Sequence, residues 1–187
     1  MTTNELNEDY KDFLSDSSRV VADMAVHHVG DNKKMFSDLL ELCFEKPYPF
    51  NMRASRVVQI YCSNKPEMIL PYLEELIPMV LKSDNSGVKR NFLKIFYENV
   101  PLDKLPHQAM LLNACFEWLA SEKEPIALRY YALKLLYRFG EKEKDIMHEV
   151  KLIMDNLDLK SLKGLQSYWK KILKQSGEKK QMKLFGD

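Results

Sequence analysis

The stretch EPIALRYYALKLL, Glu124 to Leu136, decides how the rest of this chain is read. Pro125 suits the first turn of a helix, where a missing N–H costs nothing and a fixed φ is already helical. Behind it come Arg129, a small Ala132 that lets another helix approach closely, and the pair Leu135 and Leu136. Apolar residues recur at three- and four-residue steps, the signature of a helix with one buried face.

Three further segments fall on the same register: VVADMAV (20–26), VVQIYC (57–62) and FLKIFY (92–97), beside ALKLLY (132–137). The aligned polar position is Asp23, Gln59, Lys94 and Lys134, at spacings of 36, 35 and 40 residues. SYWKKIL (167–173) lies about one period further on. Helical periodicity and turn residues place helices at about 17–29, 32–46, 50–63, 66–83, 86–100, 106–121, 125–140, 142–157 and 161–175. The breaks between them, such as GDN, SNKP and SEKEP, are short enough to force neighbouring helices into antiparallel pairs. A period of this length built from helix pairs points to a repeat array and excludes ankyrin, which needs a β-turn signature.

Glu124 to Leu136 resembles the first helix of a HEAT repeat, and SGVKRNFLKIF (86–96) and FNMRASRVVQI (50–60) are similar to it, the former with a Gly-Val entry in place of proline. The resemblance covers about residues 17–175. It implies an all-α, right-handed α-solenoid of about four and a half HEAT-like (armadillo-like) antiparallel helix pairs, whose curved surface binds protein or nucleic acid. Around one continuous domain at 17–175, the reading sets an acidic N-terminal extension at 1–16 and a basic C-terminal tail at 176–187.

Composition agrees with a folded helical protein: 45% hydrophobic and 29% charged residues, with six Gly and eight Pro leaving few tight turns. The acidic opening MTTNELNEDYKD has no apolar core for a signal peptide, and no apolar run approaches the ~18 residues that span a bilayer. Cys43, Cys62 and Cys115 are odd in number and embedded in apolar segments, as reduced core thiols are. These features set the expectation of a cytoplasmic protein with no membrane contact.

Catalytic and metal signatures are missing from the sequence. His27 and His28 are adjacent and diverge by about 100° on a helix, while no cysteine pair has zinc spacing. The chain has no nucleophile elbow, phosphate loop or dinucleotide fingerprint. It also lacks the Ser-rich loop of fumarase-type lyases. The reading is therefore of a non-enzyme without metal or cofactor. Alkylpurine DNA glycosylases built from HEAT-like repeats resemble the chain in helix pairing, and would draw on Trp118, Trp169 and Asp155.

Charge is sorted by helix. The first helices of the pairs are rich in Lys and Arg against only Asp23 and Glu98, whereas acids outnumber bases in the second helices. In a solenoid the two sets form different surfaces, so one is expected to be basic. Arg53, Arg56, Lys89, Arg90, Arg129 and Lys134 are the candidate polyanion-binding residues. Tyr61, Tyr97, Tyr130, Tyr131 and Tyr137 accompany them at a spacing that suits packing.

The tail offers a second candidate. QMKLF, Gln181 to Phe185, resembles the peptide by which bacterial DNA polymerases and repair proteins dock on the sliding clamp, through Gln181, Met182, Leu184 and Phe185. Lys183 departs from the usual small or acidic third residue. The functional expectation is a non-enzymatic interaction module with a macromolecular partner, a protein first. A DNA-maintenance protein using the basic helices and the clamp peptide is the alternative.

Overall fold

The computed structural model describes residue 10 and residues 13–175; Gln181 to Phe185 lie outside the described residues. Among those described, nine α-helices and two short 3-10 segments alternate with turns, and there is no strand. The helices are α1 (Arg19–Val29), α2 (Lys33–Glu45), α3 (Phe50–Asn64), α4 (Leu73–Lys82), α5 (Ser86–Asn99), α6 (Gln108–Ala120), α7 (Ile126–Gly140), α8 (Lys144–Asp155) and α9 (Lys163–Gln175).

Their ends follow side-chain chemistry. Ser18 Oγ accepts from Val21 N at 3.2 Å, Asn32 Oδ1 from Lys34 N and Met35 N at 3.0 and 3.2 Å, and Asn85 Oδ1 from Gly87 N and Val88 N at 2.8 and 3.2 Å. Each bond satisfies an N–H that the first turn leaves without a partner. Gly30 closes α1 at φ +53, where a residue with Cβ is strained. The expected helix at 66–83 is realised in two parts, a 3-10 segment at Pro66–Tyr72 followed by α4. Pro71 explains the difference, since inside the expected helix it lacks the N–H that an α-helical ladder needs, whereas Pro66 stands at the first position, where none is required.

The chain divides into two compact units, Met1–Gln108 and Ala109–Asp187, where the sequence reading has one continuous domain at 17–175. Packing in repeat arrays is local, so a single run of repeats can contain more than one compact unit.

In the first unit α3 is the hub, packed against α1, α2 and α5, with α4 against α5. Its core is aromatic: Phe36 lies 4.8 Å from Tyr61, and Phe92 lies 5.4 Å from Phe44 and 6.2 Å from Phe96, centroid to centroid. A polar seam fixes the register of α3 on α5. Asn91 Nδ2 donates to Ser55 Oγ at 2.8 Å, and Asn85 Nδ2 donates to Asn51 Oδ1 at 3.1 Å. Both Asn91 and Ser55 are buried. Asn91→Ala should therefore cost about 1–2 kcal/mol, read as a lower urea midpoint at unchanged slope. An unchanged midpoint would show that the seam does not bear on stability.

The unit also reaches further towards the N-terminus than residue 17. Tyr10 and Leu14 are buried, and Tyr10 O–H donates to the carbonyl of Met35 at 2.8 Å. In the second unit α7 packs on both α8 and α9 around Leu133, Leu136, Val150, Trp169 and Ile172.

Candidate functional site

The six candidate cationic residues fall into both units: Arg53, Arg56, Lys89 and Arg90 in the first, Arg129 and Lys134 in the second. Arg53 Nη1 donates to the carbonyls of Leu14 and Ser15 at 2.8 and 2.7 Å, so its guanidinium fastens the N-terminal segment to α3. Arg56 is half-buried, with Nε covered and lacking a hydrogen-bond partner. Lys89 is half-buried, and Arg90 Nη2 donates to Asn91 Oδ1 at 2.8 Å.

Arg129 leaves the candidate stripe altogether. It is 3% exposed, and its Nε donates to the carbonyl of Leu119 at 3.0 Å. Burial lowers its pKa while nearby Glu122 opposes the shift. A guanidinium inside the helix pair ties α6 to α7 and is closed to a phosphate.

Lys134 is different. It sits half-exposed, with Nζ 5.3 Å from the ring centres of Tyr130 and Tyr131 and 5.8 Å from that of Tyr168. Such distances place an ammonium within cation–π range of all three rings. Tyr130 meets Tyr131 at 5.4 Å and Tyr168 at 5.3 Å, and Tyr137 meets Tyr168 at 6.5 Å, all edge to face. Every ring in this cluster is half-exposed. The spacing of Tyr130, Lys134 and Tyr137 at i, i+4 and i+7 carries the signal for one shared face. Tyr168, contributed by α9, is the member that sequence reasoning missed.

The two helices that carry the cluster hold charge of one sign. Apart from Arg129, α7 and α9 carry Lys134, Arg138, Lys163, Lys170, Lys171 and Lys174, and neither helix holds an Asp or a Glu. In the other unit two of the three first helices are internally offset, Arg19 pairing with Asp23 at 2.8 Å in α1 and Lys94 with Glu98 at 3.9 Å in α5, while α3 carries Arg53 and Arg56 without a carboxylate.

A family model described as a HEAT repeat domain matches residues 11–176. The chain belongs to the HEAT-repeat family. No curated protein and no solved structure shows a match. The all-α fold of helix pairs expected from Glu124 to Leu136 is thus the HEAT-repeat α-solenoid class, and the match begins close to buried Leu14.

Within this HEAT-repeat chain the aromatic residues that a glycosylase would use are core residues, Trp118 at 7% and Trp169 at 1% exposure. Neither can stack on an extruded base. Among the described residues no group of three His, Cys, Asp or Glu side chains could hold a metal ion, and no helix is long and apolar enough to cross a membrane. His28 packs its ring 4.5 Å from Phe13.

All three cysteines are free and buried, and burial pushes each thiol above its ordinary pKa. A raised pKa depletes the thiolate that reacts. Ellman's reagent at mildly alkaline pH should therefore find no fast thiol in the native protein and all three after denaturation. A fast-reacting native thiol would contradict the buried placement.

Proposed function

We propose that this HEAT-repeat chain is a non-enzymatic protein-interaction module, and that it takes an acidic segment of a partner protein on the α7/α9 face. The observation that carries the reading is the tyrosine cluster around Lys134 on two helices without a carboxylate. Tyrosine supplies contact area with few rotors to order, and lysine supplies long-range attraction for the partner's carboxylates.

Ring geometry favours a peptide over nucleic acid. Bases need flat ring faces to stack on. Here the rings pack at interplanar angles of 60–87°, and Lys134 lies over three of them.

The test is fluorescence anisotropy with two labelled probes, an acidic peptide and a duplex DNA, at low and physiological salt. The acidic peptide should bind, and its affinity should fall with salt through ionic screening. Duplex DNA binding more tightly than the peptide, with a salt slope equivalent to several phosphates, would overturn the reading in favour of nucleic acid. The sliding-clamp role of Gln181, Met182, Leu184 and Phe185 is a separate proposal that rests on the sequence. Leu184→Ala/Phe185→Ala should abolish capture by a bacterial clamp if that role holds, and equal capture of both forms would refute it.

A further inference from the structure

The second unit contains a cavity of about 580 Å3 that borders the tyrosine cluster, because Tyr137 lines it. That size lies in the range that takes a large side chain or a small ligand. Its apolar surface comes from Met147 of α8 and Tyr137 of α7, with Trp169, Ile172 and Leu173 of α9 nearly closed beneath them. Its rim carries two lysines. Lys144, His148 and Lys151 stand at i, i+4 and i+7 of α8, one helix face, with Glu141 as the single carboxylate among the lining residues. Lys144 and His148 are exposed.

An apolar pocket flanked by lysines selects a ligand that is apolar at one point and anionic beside it. Lys144 and Lys151 on the rim carry the same charge as Lys134 in the cluster. We infer that the cavity is an anchor pocket: it holds a bulky apolar side chain of the partner's acidic segment, while flanking carboxylates lie against Lys144 and His148 on one side and Lys134 on the other. The inference rests on the acidic-partner reading and adds the feature that would distinguish one acidic partner from another. Charge supplies attraction without selectivity, and the buried side chain supplies the discrimination.

The test compares two fluorescein-labelled acidic peptides that differ only in a central Phe or Ala. On the wild-type protein the Phe peptide should bind at least roughly tenfold more tightly, the effect of burying one aromatic side chain. Met147→Trp, which fills the cavity from its wall, should bring the two peptides to within about twofold of each other. Lys144→Glu/His148→Glu changes exposed positions only, so the fold should survive, and both peptides should weaken. Circular dichroism on each variant checks that.

Equal binding of the Phe and Ala peptides to wild type, with both still weakened by Lys134→Glu, would overturn the anchor pocket and leave the acidic-face reading standing. Binding of neither peptide would overturn both. Equal binding of the two peptides to the full chain, with a roughly tenfold preference for Phe appearing only once residues 176–187 are removed, would assign the pocket in the full chain to its own tail and overturn the partner assignment.

Discussion

Arg129→Ala lowers the stability of the protein by about 2–4 kcal/mol, among the larger effects expected of any single substitution. Three losses combine. The carbonyl of Leu119 loses its donor, in a place where Arg129 is 3% exposed and water cannot readily replace it. The long aliphatic stem is removed, leaving a cavity between helices. The tie from the end of α6 to the first turns of α7 is cut. For a chain of this size the change corresponds to a fall in Tm of about 4–16 °C, measured by scanning calorimetry or circular dichroism. Arg129→Met restores the packing but not the donor, so it should recover about half of the loss. Wild-type stability in Arg129→Ala would mean that the buried guanidinium is not holding the helix pair.

Phe92→Ala is expected to cost about 3–5 kcal/mol, the range for an aromatic side chain deleted from a close-packed core. Phe92 is fully buried in the first unit and touches Phe44 and Phe96 by ring contacts. Removing it empties the space where α5 meets the rest of that core, and the stiff neighbouring helices can collapse only partly into the gap. Urea unfolding should show the loss as a lower midpoint, and Phe92→Leu should retain most of the stability. A stability loss below about 1 kcal/mol for Phe92→Ala would show that the aromatic cluster is not central to the unit.

The helix pairs were legible because the residues that end helices act locally. Gly30, Asn32, Asn85 and Pro125 each work through their own φ or a side-chain bond two or three residues away, so their effect can be read without tertiary information. The 3-10 segment at Pro66–Tyr72 was also written locally, in Pro71 within it, although the apolar pattern there suggested one continuous helix.

The cationic candidates were harder. Nothing near Arg129 in sequence says that the carbonyl of Leu119, ten residues earlier, lies within reach; that depends on how two helices pack. Arg53 likewise finds Leu14 and Ser15 across 39 and 38 residues. A basic residue on a repeat helix therefore has two destinies, a tie between elements or an outward charge, and the pattern of charges alone does not separate them. Lys134 was recognisable because its neighbours at three and four residues are tyrosines on its own helix, whereas Tyr168 joined the cluster only through the packing of α9 on α7.

The most direct test of the acidic-partner face is a charge-reversal comparison between the two units. An acidic fluorescein-labelled peptide is titrated into wild type, into Lys134→Glu/Lys171→Glu on α7 and α9, and into Lys89→Glu/Arg90→Glu on α5. The α7/α9 variant is expected to lose at least roughly tenfold in affinity at physiological salt, and the α5 variant less than about twofold. Unchanged binding by Lys134→Glu/Lys171→Glu, or an equal loss in the α5 variant, would contradict the placement of the interface.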